Sequence, residues 1–142
     1  ELRERVNLAA ENFWDEEHGT YASYIVDGEK SHYCELTNSL LLYCGAVPEN
    51  RRQRVISALK SGELTPVTLS HSIFKYDALL SEHENVNYVL KDIEEKWGGM
   101  LMNDATTFWE TIEGQSAFGN AGSLCHGWSA IPAYIYFRIA GN

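Results

Sequence analysis

Apolar residues return along this chain at helical spacing, in two alternating styles. Leu2, Val6, Ala9, Ala10 and Phe13 form one stripe, with Glu1, Arg3, Glu4 and Arg5 between them, which predicts an amphipathic helix running through Asn12. From Glu35 to Cys44 the pattern changes. Leu36, Leu40, Leu41, Leu42, Tyr43 and Cys44 leave little polar face, so this helix should be covered on nearly all sides, with Gly45 ending it. Pro48 suits a first helical turn, and beyond it Val55, Ile56 and Leu59 face inward against Arg51, Arg52, Arg54 and Lys60. From Thr68 to Leu80 a second nearly all-apolar segment follows, its charges limited to Lys75 and Asp77. Asn85 is placed as a cap for a third amphipathic helix, whose stripe is Val86, Val89, Leu90, Ile93 and Trp97. The chain closes on a third apolar helix, expected from Ser123 to Ile139.

The order amphipathic then apolar, three times over, predicts an all-α protein of three helical hairpins, each with an outer helix covering an inner one. The inner-helix residues Leu40, Leu41, Ile73, Leu79, Ile131 and Ile135 should then be more buried than Val55, Val89 and Ile93. Connections from apolar to amphipathic helices are short, whereas Asp15 to Cys34 and Gly98 to Gly122 are long. In an array of antiparallel hairpins all connections of one kind share an end. One face should therefore carry the elaborated loops, the usual seat of binding and catalysis. Thr20 to Val26 alternates and runs into Asp27-Gly28, a turn signal, so a short strand is expected there.

Composition narrows the partners. The chain has 142 residues, 44% hydrophobic and 22% charged, as befits one globular domain or a piece of one. A formal net charge of −9, with no basic cluster, argues against nucleic acid, whose phosphates would be repelled. No apolar run approaches the roughly 20 residues of a membrane span. The chain opens on Glu1 rather than an initiating methionine, which leaves a processed or excised start open. Cys34, Cys44 and Cys125 are odd in number and lack C-x-x-C spacing, which argues against a disulfide framework or a zinc site and leans toward a reducing cytoplasm. Cys125 is adjacent to His126, but neighbouring helical side chains diverge, so Cys125 reads as a small core residue rather than a nucleophile. The five histidines, His18, His32, His71, His83 and His126, lack the H-E-x-x-H pattern of a zinc protease.

The candidate chemistry sits in the second long loop. Thr106-Thr107-Phe108-Trp109-Glu110 places a carboxylate beside an indole, and Ser123-Leu124-Cys125-His126-Gly127-Trp128 places an imidazole beside another. Each alone fits an ordinary core or capping residue, but a core has no reason to interleave indoles with so many polar groups that each need a partner. Sugars present apolar C–H faces to aromatic rings and hydroxyls to charged groups, and a carboxylate can take a proton from water. Trp109, His126 and Trp128 are accordingly candidate sugar contacts and Glu110 the candidate base, with Phe13 to His18, Tyr21 and Tyr24 expected on the same face.

These residues carry a family resemblance. G-x-L-x-x-D-A-T-T-F-W-E at Gly99 to Glu110 and S-L-C-H-G-W-S-A-I-P-x-Y at Ser123 to Tyr134 resemble the C-terminal part of the catalytic domain of glycoside hydrolase family 78 alpha-L-rhamnosidases. F-W-D-E-E-x-G-x-Y from Phe13 and F-K-Y-D-A-L-L from Phe74 are similar to that family too, so the resemblance runs nearly the whole length. It implies an (alpha/alpha)6 barrel of six hairpins, of which residues 1–142 would supply about half as an incomplete domain. It also implies inverting hydrolysis without a cofactor, acting on an L-rhamnosyl glycoside. Inversion opposes a general acid to a general base about 6.5 to 9.5 Å away. By the resemblance Glu110 takes the place of the base, while His126 and Trp128 line the sugar pocket. The family's acid lies in a motif upstream of this chain. Asp15, Glu16 and Glu17 fit turn or rim roles instead. The remainder of the domain would be an obligate partner, without which the chain should be inactive and prone to self-association. Two alternatives stand beside this: a non-catalytic carbohydrate-binding or scaffolding module, and another six-hairpin glycosidase of glucoamylase-like, trehalase-like or unsaturated-glucuronyl hydrolase type.

Overall fold

The computed structural model describes residues 1–141. They fall into two compact units, residues 1–67 and 68–141. Helices dominate, with seven among the described residues, and the only strands described form two short hairpins. The all-α expectation therefore stands.

In the first unit α1 (Leu2–Glu11) opens with a capping box between Glu1 and Glu4, which satisfies backbone N–H groups that the first turn leaves unpaired. The long connection after it is folded rather than loose. β1 (Trp14–Asp15) pairs antiparallel with β2 (Thr20–Tyr21), and β3 (Tyr24–Val26) with β4 (Glu29–Ser31). The expected strand over Thr20 to Val26 is thus divided. Ala22 N–H turns back to Phe13 O at 2.9 Å, while Ser23 N–H goes to His32 O at 2.8 Å, so the two residues belong to different hairpins. Asp27 and Gly28 both take positive φ, 51° and 84°, the backbone that a two-residue hairpin turn requires.

α2 (Glu35–Tyr43) packs on α3 (Glu49–Ser61), and Leu42, Val55, Ile56 and Leu59 close the core between them. Asn38 fastens α2 to β2. Fully buried, it accepts from Tyr21 N–H at 2.9 Å and donates to Tyr21 O at 3.0 Å, replacing a missing strand partner. Pro48 sits at the N-cap of α3.

In the second unit α4 (Ser72–Leu79) packs on both α5 (Val86–Met102) and α7 (Ile131–Ala140), with the single turn α6 (Ala117–Asn120) in the loop between these two. Val89, Ile93, Trp97 and Met100 are the buried stripe of α5. Asn85 stands at the N-cap of that helix, yet its amide donates to Leu79 O at 3.1 Å instead of capping. Asp77 is buried on α4, where it takes an ion pair from Arg138 and the Tyr134 hydroxyl at 3.2 Å.

Two expectations are corrected. The stripes of the amphipathic helices are the more deeply buried: Val55 and Val89 are 0% exposed and Ile93 2%, against 39% for Leu40. A narrow stripe can be covered entirely by one neighbour, whereas a helix apolar all round needs neighbours on every side. α4 has them within its unit, and Leu79 is fully buried. α2 buries Asn38, Ser39 and Leu42 but exposes Leu40 and Tyr43, and α7 buries Ile131, Pro132 and Ile135 but exposes Tyr134, Tyr136 and Phe137. The second correction concerns the last helix, which begins at Ile131 rather than Ser123. Residues 123–126 are drawn instead into backbone pairing with residues 107–110. Pro132 in the first turn marks the true start.

Candidate active site

The predicted site residues lie on two backbone segments that run side by side in the second unit. Glu110 N–H donates to Ser123 O at 2.9 Å, and His126 N–H to Phe108 O at 2.7 Å. Thr107 Oγ1 adds a bond to Leu124 O. This short antiparallel ladder brings together the two motifs that the sequence keeps thirteen residues apart at Glu110 and Ser123.

Glu110 is half-buried, and its side chain folds back on the same pairing. Its Oε2 accepts Ser123 N–H at 3.2 Å, so backbone and carboxylate of Glu110 both bind Ser123. Trp109, also half-buried, lies against Gly114: a Cβ on that glycine would fall 2.7 Å from the indole Cε3. His126 and Trp128 meet edge to face, their ring centroids 5.9 Å apart. Trp128 is 78% exposed and is no core residue. The turn that carries it is tied down from α5, where the buried Trp97 indole N–H donates to Ser129 O at 2.9 Å.

A cleft of about 890 Å3 opens beside the ladder, lined by α5, by Thr106, Thr107 and Phe108, by Cys125 and His126, and by Pro132 and Tyr136 on α7. His126 reaches it, but Glu110, Trp109 and Trp128 are not among its lining. Cys125 is exposed at this cleft, contrary to the core role expected of it, because the extended segment turns its side chain outward. Among the described residues no group of three or more His, Cys, Asp or Glu side chains could hold a metal. No helix of the described residues is long and apolar enough to cross a membrane.

The first unit holds the acids that follow Trp14. Asp15 is a turn residue: its Oδ1 accepts the N–H groups of Glu17 and His18 at 3.0 and 3.1 Å, and its Oδ2 accepts Tyr33 OH at 2.6 Å. The Tyr33 hydroxyl, then the His18 N–H, hold its carboxyl far below the usual carboxylate range. The same bond pushes the Tyr33 phenol up to about 12. Glu16 is lowered by the Trp14 indole N–H at 2.7 Å and by its ion pair with Arg54. Trp14 itself is buried, with the Arg51 guanidinium 4.4 Å and that of Arg54 5.1 Å from the ring centroid. This motif is thus occupied in holding its own loop together.

Sequence reasoning missed the buried polar groups Asn38, Asp77 and Lys75. A lone Asp and Lys inside the apolar run of α4 were the available signal, since a charge on such a face must find a partner.

Among solved structures the chain is similar to the GH78 family rhamnosidase of Bacillus sp. GL1, with 31% sequence identity and a TM-score of 0.78 over 96% of this chain. The chain resembles part of a GH78 rhamnosidase. It spans 15% of the length of that enzyme's chain. The likeness agrees with the sequence motifs and with the mostly helical fold. No protein-family model matches the sequence, and no curated protein does.

Proposed function

We propose that this chain is a segment of a glycoside hydrolase, part of a six-hairpin catalytic domain that removes terminal L-rhamnose with inversion. The observation that carries the reading is the likeness to the GH78 rhamnosidase across 96% of the chain. Glu110 is the general base. Oε2 is held by Ser123 N–H while Oε1 has no hydrogen-bond partner among the described residues, so one oxygen is anchored and the other can take a proton from water. His126 and the exposed Trp128 contact the sugar, the indole against a C–H face and the imidazole against a hydroxyl, with Trp109 beside the base. The opposed general acid belongs to the remainder of the domain, upstream of Glu1.

The test is made in the full-length parent protein. Glu110→Gln keeps the shape of the side chain but cannot accept the proton, so kcat should fall by about 10²- to 10⁴-fold with substrate affinity little changed. Trp128→Ala and His126→Ala should instead weaken binding of free L-rhamnose, each by about 1 to 3 kcal/mol in calorimetry, with the melting temperature held. A fully active Glu110→Gln enzyme would move the base elsewhere. Aryl rhamnoside, glucoside and glucuronide offered side by side decide the sugar, and preference for either of the latter two would replace the rhamnosidase reading by another glycosidase.

A further inference from the structure

The loop from Thr111 to Gly122 has no chemistry of its own, yet its packing ends at the candidate base. Two glycines carry that packing. Gly114 is buried with φ +57°, and a Cβ there would strike the Trp109 ring at 2.7 Å. Gly122 is tighter still: a Cβ on it would lie 2.0 Å from Gly114 O and 3.0 Å from the Ala117 Cβ. Real Cβ atoms do not approach a carbonyl oxygen so closely, and the obstacle is backbone, so one strand of the loop would have to move. The turn between the two glycines is built to bring them together. Phe118, Gly119 and Asn120 take φ of 52°, 69° and 71°, three successive left-handed residues, which reverse the chain sharply. Gly122 N–H then closes on Ala117 O at 3.0 Å. The residue after Gly122 is Ser123, the double partner of Glu110.

We infer that Gly114 and Gly122 form a clasp that positions the Glu110 carboxylate. Trp109 rests on Gly114, Gly114 on Gly122, and Gly122 delivers the Ser123 N–H to Glu110 Oε2. The chain of contact closes a ring through residues 109, 114, 122, 123 and 110, with no side-chain volume to spare at either glycine. These are positioning residues, each acting through Glu110. The inference rests on Glu110 being the base, and it adds that the base is aimed by backbone contact rather than by a side-chain partner.

A double-mutant cycle in the full-length protein separates the inference from the reading beneath it. Gly122→Ala should lower kcat by about 10²-fold, the loss expected when a reacting group is displaced by about 1 Å, with KM changed less than about threefold. On the Glu110→Gln background the same substitution should cost less than about threefold, because a group already unable to accept a proton gains nothing from being aimed. Gly99→Ala, on α5 with nothing near its Cβ position, should leave kcat unchanged. If Glu110→Gln lowers kcat as expected and Gly122→Ala costs the same in both backgrounds, the clasp is overturned while the base assignment stands. A fully active Glu110→Gln overturns both. Should Gly122→Ala fail to fold, hydrogen exchange in the unmodified protein serves instead. Slow exchange of the Glu110 and Ser123 amides supports the clasp, and exchange at the rate of an open loop overturns it.

Discussion

Asp15 shows how a single residue sets the shape of a loop. Its carboxylate gathers two backbone N–H groups and a phenol in the turn between β1 and β2. Asp15→Asn keeps the size and loses the charge, and should destabilise the protein by about 1 kcal/mol near neutral pH. The sign with pH follows from the lowered carboxyl. A group with a depressed folded-state pKa contributes stability above its unfolded value, near 3.9, and loses it as the pH falls toward the folded value. The gap in melting temperature between the unmodified protein and the Asp15→Asn variant should therefore narrow steadily below about pH 4, and a gap that widened there would contradict the bonding described. The turn role was legible from the place of Asp15 in the connection that follows the first helix. Its partner Tyr33, eighteen residues on, was not, because nothing local in the sequence links the two.

At the scale of elements the helices were legible wherever an apolar stripe meets a capping or breaking residue, as at Pro48 and Gly62 around α3. The start of α7 was not, because Leu124, Cys125 and Trp128 continue the apolar pattern ahead of Ile131, and periodicity over so short a run cannot distinguish extended or turn backbone from a helix. Depth of burial was not legible for a related reason: hydrophobicity gives the area that a helix offers, not the neighbours it finds. Ile93→Ala on α5 should cost about 3 kcal/mol, whereas Leu40→Ala on the more apolar α2 should cost under about 1 kcal/mol, both read from urea midpoints. The join between α4 and α7 makes a further case. Asp77→Ala strands Arg138 and should cost about 2 to 3 kcal/mol, since Arg138 keeps partial access to water. Pairing it with Arg138→Met should recover most of that loss, as an apolar side chain needs no counter-charge.

For the whole molecule, the apolar faces of α2 and α7 set the expected behaviour of the chain by itself. Tyr136, Phe137, Leu40 and Tyr43 stand in solvent, and exposed apolar surface of this kind seeks a cover. Sedimentation velocity of the purified 142-residue chain should show concentration-dependent association, and aryl rhamnoside turnover should be absent, because the proposed domain contributes its acid from elsewhere. A monodisperse monomer with activity near that of the intact enzyme would contradict the segment reading. The four tryptophans, finally, occupy contrasting settings: Trp14 and Trp97 are buried, Trp109 is half-buried and Trp128 is 78% exposed. The protein consequently carries its own optical labels. Acrylamide should first quench a red-edge emission that belongs to Trp128 and disappears in Trp128→Phe. The blue-shifted remainder should hold until the chain unfolds, so that one emission spectrum reports occupancy of the proposed sugar face and integrity of the core on separate wavelengths.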